Sequence, residues 1–511
     1  MNKNLFLTLL TTAAVFLITL STVEGQQKVA SGKDKNVKAD SVLEAFKVVD
    51  AQVTKKSHLS TQLNGTRSWL AGDHHIHSRY SAAYDKSTTP PTPSFDEQPY
   101  AIPTNAKKAR EYGLSWMVST DHGGPNHSKI NLEHAYPELL ESRAAVPDLI
   151  QFHGMEFDAP AAGHASLIMP HSAHEHQTLY DIEHRFASRD SFPHHASRDT
   201  EARMIEALQY MKQIDVPPVL IANHPSRGAT APGTYSQKEP QELRNWNNTA
   251  PQVAVGMEGA PGHQAGTIKP DGSIDSTASR PYKNNTMGGY DQMTAHLGGF
   301  WDSMLGEGRR WWITATSDSH ENWRDGGSDF WPGEYSKTYV FAEKSYDDIL
   351  DGIRHGRVFV TTGDLISELE VMVSTDKGSG ASIGGTLPIS GSADLEVTIR
   401  VLDPETLNHH GDNPSVARVD LIMGEVTGSL TDLSKDINPT TKVVKRFTAK
   451  DWRKEGGYLI MTYQLKDFHH SGYLRVRGTS TNELEPKVDH QGEDPWADLW
   501  FYSNPIFIEV E

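Results

Sequence analysis

Cysteine is absent from all 511 residues. That single absence removes disulfide scaffolds, cysteine-ligated zinc, iron–sulfur clusters and thiol nucleophiles together. Any metal here must be held by nitrogen and oxygen. Basic runs are lacking as well: 48 Lys and Arg stand against 66 Asp and Glu, a formal charge of −18. With no Lys/Arg block, the positive footprint of nucleic-acid binding is excluded. Beyond the first two dozen residues there is no long apolar run, so the mature chain is expected to have no membrane partner. With 37% hydrophobic and 22% charged residues, the composition is that of a globular protein.

What the chain has in excess is histidine. Of 25 in all, eighteen lie between His74 and His320. The opening segment runs from Lys3 through an apolar and threonine stretch to small residues near Gly25, which is a signal-peptide pattern over residues 1–25. Export to the periplasm or the medium is therefore expected, with stability from core burial in place of disulfides. An uncleaved single anchor is the alternative. Residues 26–67 are polar and Lys-rich and read as a linker or docking helix.

From residue 68 to 366 short β-like runs alternate with helical runs. Strands are expected at Trp69 to His77, Leu114 to His122, Leu149 to Asp158, His164 to Met169, Val219 to His224, Val253 to Glu258, Trp311 to His320 and Thr338 to Ala342. Helices are expected between several of them, among them Thr294 to Leu305. Such alternation predicts βα units forming a parallel sheet or barrel. From residue 367 to 511 alternating strands are separated by Gly, Asp, Asn and Ser, the texture of an all-β sandwich.

Six clusters of metal-binding residue types sit at ends of the predicted strands. They are Asp73-His74-His75-Ile76-His77, Thr120-Asp121-His122, Gly154-Met155-Glu156, Gly163-His164, Asn223-His224-Pro225 and Ser317-Asp318-Ser319-His320. On an extended chain positions i and i+2 face the same way, so His75 and His77 can grip one ion, with Asp73 behind them to hold an imidazole tautomer. In a parallel barrel the carboxyl ends of all strands converge on one face, where such clusters meet. Glu258 ends another strand there and reads as a support or substrate contact.

This succession, D-x-H-x-H-S, T-D-H, G-x-E, G-H, N-H-P and S-D-x-H, resembles the PHP (polymerase and histidinol phosphatase) superfamily. The leader, the Gly356 to Ile366 segment and the closing SNPIFIEV strand look like its carbaryl-hydrolase-like branch. The resemblance implies an α/β fold, a distorted seven-stranded (β/α) barrel of PHP type followed by the C-terminal all-β sandwich. It also implies two or three divalent ions, Zn, Mn or Fe. One would be held by His75, His77, Glu156 and Asp318; Glu156 would bridge to a second on His164 and His224; His122 and His320 would join a third, bridged by Asp318. Members with three metals carry a further His or Asp shortly after H-x-H, where Asp85 is the nearest candidate at a different offset. His122 and His320 therefore read either as ligands or as proton-transferring groups, and Asp121 as a ligand or an acceptor behind the ligands.

The implied reaction is hydrolysis by a metal-bound hydroxide. The substrate is a small-molecule phosphoester or, on the same site, an aryl ester or carbamate. His122 or His320 would protonate the leaving group, and Arg227 and Arg79 would meet an anionic substrate. Trp323 and Trp331 are candidates for an apolar substrate wall. A reading of another class is a non-catalytic surface- or carbohydrate-binding protein with structural metals, which requires closed coordination.

Overall fold

The computed structural model describes residues 67–95, 98–266, 268–275, 286–428, 436–490 and 492–511. The expected leader over 1–25 and the expected linker or docking helix, up to its last residue, lie outside the described residues. No described helix is long and apolar enough to cross a membrane.

Seven strands lie side by side in chain order: β1 (Ser68–Asp73), β2 (Trp116–Ser119), β3 (Ile150–Ala159), β4 (Gly163–Ile168), β5 (Val219–Ala222), β6 (Ala254–Pro261) and β7 (Trp312–Thr316). β2 and β5, with sequences WMVS and VLIA, are buried along their whole length, as a sheet covered on both faces requires. The covering helices include α1 (Ile102–Glu111), α2 (Tyr136–Ala145), α3 (Glu175–Phe186), α4 (Glu201–Met211) and α5 (Pro240–Thr249). A proline sits in the first turn of α1, α2 and α5, where its missing N–H costs no helical bond. Thr200 caps α4 by accepting from the Arg203 N–H.

Pairing departs from the all-parallel expectation at two places. β1, β2 and β3 are mutually parallel, as are β5, β6 and β7, but β4 runs antiparallel to both its neighbours. Only three residues, 160–162, separate β3 from β4. That is a hairpin, whereas a parallel crossover needs about a dozen residues. The strand expected at Thr338 to Ala342 is β8 (Ser336–Ala342), and it is antiparallel to β1 and to β9 (Val358–Thr362). The helix expected over Thr294 to Leu305 is also broken. A single turn at Gln292–Ala295 is followed by α6 (Phe300–Gly306), because Gly298 adopts φ +74° between them.

The chain beyond β7 returns to the chain beyond β1. Ile76 and Ser319 form a parallel bridge, and the His77 N–H donates to the Ser319 carbonyl at 2.9 Å. The Asp73 carboxylate accepts from the N–H groups of both His75 and Ser317, at 3.0 Å each. These contacts place two candidate metal-binding segments against each other.

The C-terminal region is antiparallel apart from one pair. One sheet holds β10 (Glu368–Thr375), β11 (Gly380–Ser382), β13 (Ala393–Leu402), β16 (Arg453–Glu455) and β17 (Tyr458–Phe468) in the order β11-β10-β13-β17-β16. The facing layer holds β12 (Thr386–Ile389), β14 (Arg418–Glu425), β15 (Lys442–Phe447), β18 (Gly472–Thr479), β19 (Trp500–Ser503) and β20 (Ile506–Val510), with β12 parallel to β20. Alternate residues such as Leu369, Val371 and Val373 meet Val419, Leu421, Leu474 and Val476 in a shared core. This second layer is continuous with the large sheet, because β19 pairs with β9 through Phe359 to Thr361. The molecule is thus mixed α/β, with one large sheet and an antiparallel C-terminal region.

One buried ion pair under this framework gives a pH test. Glu175, at the start of α3, accepts from Arg143 Nη1 at 2.5 Å and His171 Nδ1 at 3.2 Å. Burial alone would raise its pKa, but Arg143 and then His171 outweigh burial and pull it from 4.5 to about 2. A folded value below the unfolded one stabilises above about pH 4.5, and that contribution fades as pH falls toward 2. Glu175→Gln is expected to cost about 3 kcal/mol at neutral pH. Denaturant unfolding of both proteins should show the difference shrinking steadily below about pH 4.5.

Candidate metal centre

Six histidines and two carboxylates converge in three groups: His75, His77 and Asp318; Glu156, His164 and His224; and His77, His122 and His320. Within each group the ligand atoms lie within 4.8 Å of one another. His75 Nε2 is 3.1 Å from Glu156 Oε1 and 3.0 Å from Asp318 Oδ1, and His77 Nε2 is 2.9 Å from the same Asp318 oxygen. His164 Nδ1 and His224 Nε2 approach Glu156 Oε1 at 2.9 and 3.0 Å. Glu156 thus faces both of the first two groups. His164 reaches them although it begins its strand, since antiparallel β4 puts its start beside the end of β3, with Asp158 opposite His164.

The imidazoles are held so that lone pairs point inward. His75 Nδ1 donates to Glu258 Oε1 at 2.6 Å, so that in the neutral imidazole the Nε2 lone pair is the one turned toward the cluster. His77 Nδ1 donates to Ser81 Oγ at 2.7 Å, and Ser81 in turn donates to Asp121 at 2.9 Å. His75 Nε2 and His77 Nε2 face each other at 3.1 Å. His164 Nδ1 is close to Glu156 but not aligned to donate to it. Imidazole nitrogens and carboxylate oxygens converging in this way could hold metal ions.

Backbone strain marks the same place. His224 and Asp318, each just past a strand end, take left-handed φ values of +30° and +49°. The charges are strongly coupled. Burial would raise Asp318 and Glu156, but the facing imidazoles outweigh it, His263 and His75 for Asp318 and His164 and His75 for Glu156, so both carboxyls stay well below their usual range. Burial would lower His75, but Asp318, Glu258 and Glu156 hold it well above the ordinary imidazole value. Burial and the His320 charge push His77 down. Burial would lower His320 too, yet Asp329 and Asp318 raise it to about 9.

Several expectations need correction. Asp73 holds no imidazole; it clamps two backbone N–H groups, and burial raises it to about 7. Glu258 does the orienting, and also accepts from the His224 N–H at 2.5 Å. Of the two readings of Asp121, the geometry matches the acceptor behind the ligands: it joins none of the groups and accepts from Ser78 and Ser81, the latter bonded to His77. Asp85 also joins none, and accepts from the Ser87 N–H at a surface turn. Arg79 is paired with Glu138, whereas Arg227 Nη1 lies 3.8 Å from Asp318 Oδ2. Trp323 and Trp331 are buried, the first donating to Glu334 and the second packed on Tyr100.

Other residues carry no role in the sequence reading. His263 Nδ1 is 2.9 Å from Asp318 Oδ2. Its signal was available, since it follows the end of β6 in GAPGHQ, as the other clusters follow their strands. Asn223 Nδ2 donates to Glu156 Oε1 at 3.1 Å. Arg189, bound to Asp158, reaches His164 Nε2 at 3.2 Å. A fourth group, Asp489, Glu493 and Asp498, lies in the C-terminal region, where Asp489 pins the N–H groups of Gly288 and Gly289.

The fold and site together define a mixed α/β protein with buried histidine–carboxylate clusters that could hold metal ions. No family model matches the chain, and no curated protein matches it. Among solved structures, the lesion-specific endonuclease Q of Pyrococcus furiosus is similar over 56% of this chain and 56% of its own, at 15% identity and a TM-score of 0.32. Endonuclease Q in complex with a 27-mer duplex bearing an abasic lesion is similar over 57% and 56%, at 14% identity and a TM-score of 0.30. The chain thus matches little more than half the length of either structure.

Proposed function

We propose that the chain is an exported, metal-dependent hydrolase of the PHP type, with a seven-stranded (β/α) barrel, and that it cleaves a phosphoester. The observation that carries this reading is Glu156, one carboxylate faced by His75, His164 and His224 from three different segments. In this reading His75, His77, Glu156 and Asp318 hold one cation and Glu156, His164 and His224 a second, with His122 and His320 beside them as the proton-transferring groups. The cations would acidify a water and neutralise charge growing on the substrate oxygen.

The chain's own groups supply the rest. Glu258 and the Ser81–Asp121 pair keep His75 and His77 in the tautomer that faces inward. His320, held protonated by Asp329 and Asp318 and 27% exposed, donates the proton to the leaving oxygen. Arg227, 31% exposed beside Asp318, meets the substrate's anionic oxygens. Burial of Trp323 and Trp331 leaves no wall from them for an aryl ester, which favours the phosphoester. Exposure of His164 and His320 speaks against the closed coordination that a structural metal needs.

The test is a panel of aryl phosphate, bis-aryl phosphate, aryl acetate and aryl carbamate, with His75→Ala beside the parent. Turnover of a phosphate, lost in the variant, is expected. Equal rates in parent and variant on every substrate that turns over would sink the site.

A further inference from the structure

A cavity of about 650 Å³ opens at the end of the sheet where the parallel strands β6 and β7 begin, with Pro251 ahead of β6 and Trp312 at the head of β7 in its wall. It lies away from the metal-binding groups, since His263 and Asp318 follow the other ends of the same two strands. Its volume falls within the range of about 300–1,000 Å³ typical of pockets for organic ligands. The charge of its wall runs against that of the chain. Three guanidiniums, those of Arg309, Arg310 and Arg354, line it with one carboxylate among the described residues, Glu307, although acidic residues outnumber basic ones by 66 to 48 overall.

The guanidiniums are anchored without being neutralised. Glu307 is shared: its Oε1 accepts from Arg244 Nε and its Oε2 from Arg309 Nε, each at 2.7 Å. Arg354, the last residue of α7 (Tyr346–Arg354), donates to the carbonyls of Gln252 and, at 2.8 Å, of Pro217. Those are neutral acceptors, and the carboxylate that acts on it, Asp351, is bound by Arg357 Nη1 at 2.7 Å. Arg310 donates to Thr386 Oγ1 at 3.0 Å and meets Glu509 at 2.9 Å, but that carboxylate is 58% exposed and stands outside the cavity wall. Burial lowers the pKa of Arg310 and of Arg354, and neither Glu509 nor Asp351 offsets that loss of water. Arginine keeps its charge all the same. Two partly desolvated cations lining one open space are costly until an anion joins them.

We propose that this cavity binds a small organic molecule carrying two or more anionic groups, carboxylate or phosphate, received by Arg310 and Arg354 with Arg309 beside them. The planar guanidinium fork matches the oxygens of either group, and such charge-assisted bonds are about twice as strong as neutral ones. A single anionic group satisfies one guanidinium. Two arginines from separate segments, the chain just before β7 and the end of α7, call for two groups on one molecule. The site stands whether or not the metal centre hydrolyses a phosphoester.

Calorimetry on the full chain tests this with two probes, succinate and propane-1,3-diphosphonate, the second built on C–P bonds that an ester hydrolase leaves intact. The parent is expected to bind at least one of them, and the tighter probe tells a carboxylate ligand from a phosphate one. Arg354→Gln and Arg310→Gln should each weaken binding roughly ten- to hundredfold, the range for one lost hydrogen bond to a charged group. Because both arginines also anchor the fold, two further variants add a carboxylate to the wall at exposed positions and leave every anchor in place. These are Gln252→Glu, whose backbone carbonyl still accepts from Arg354, and Asn248→Asp, whose Oδ1 still accepts from Arg309. Each should lower affinity about fivefold or more by like charge, with unchanged stability in denaturant. A parent that takes up neither probe overturns the proposal. So does a parent whose affinities are matched by Gln252→Glu and Asn248→Asp, since the anion is then bound elsewhere on the chain.

Discussion

Glu156→Gln is expected to release metal and to cut turnover about 10²- to 10⁴-fold while the fold persists. His75, His164 and His224 all approach Glu156 within 3.1 Å, so the amide replaces the one negative charge that three imidazoles share. A buried charge left without its counter-charge costs about 3–5 kcal/mol, and each 1.36 kcal/mol is a factor of ten in rate. The scaffold survives because it rests on other bonds: Asp73 still joins the β1 and β7 ends, and Glu258 still holds His75. Elemental analysis should find at least one metal equivalent fewer than in the parent, with unchanged circular dichroism. A variant that keeps the parent's full metal content would remove Glu156 from the ligand set.

The second large effect concerns the join between the two halves of the chain. Asp302, in α6, accepts from Arg475 Nε and Nη2 at 2.9 and 2.7 Å, from the Tyr473 hydroxyl at 3.0 Å and from the Gly298 N–H at 2.7 Å. Both charged side chains are about 1% exposed. Asp302→Asn should destabilise the protein by about 3–5 kcal/mol, since the Arg475 guanidinium stays buried without its anion. Replacing both partners, Asp302→Asn with Arg475→Met, should cost less than the single change, because no unpaired charge remains. Denaturant unfolding of the three variants measures this, and a single variant as stable as the parent would show that the pair contributes nothing. The same contact ties the C-terminal strands, read from sequence as an all-β sandwich, to the rest of the fold, with which they also share a sheet: β19 pairs with β9, and Arg475 of β18 reaches α6.

The net charge of −18 also acquires a local meaning. Screening confines such a field to roughly 10 Å or less at ordinary ionic strength. The charge around Glu156 is therefore set by the groups beside it more than by the distant acidic surface.

By itself the sequence determined the donor chemistry, the residue types and their spacing. With no cysteine, ligands had to be His, Asp and Glu; His75 and His77 had to share a face; and His224 and Asp318 had to fall at strand ends, because short motifs and hydrophobic runs are local properties of the chain, whereas Glu156 lies inside β3. Tertiary structure alone decided which partners those side chains meet. That β4 runs antiparallel and so delivers His164 from its start, that Glu258 and not Asp73 orients His75, and that Asp121 reaches His77 through Ser81 each depend on contacts across the fold. Spacing along the chain carries no information about such contacts, since side chains as far apart as positions 75 and 258 are brought to 2.6 Å only when the whole sheet has packed.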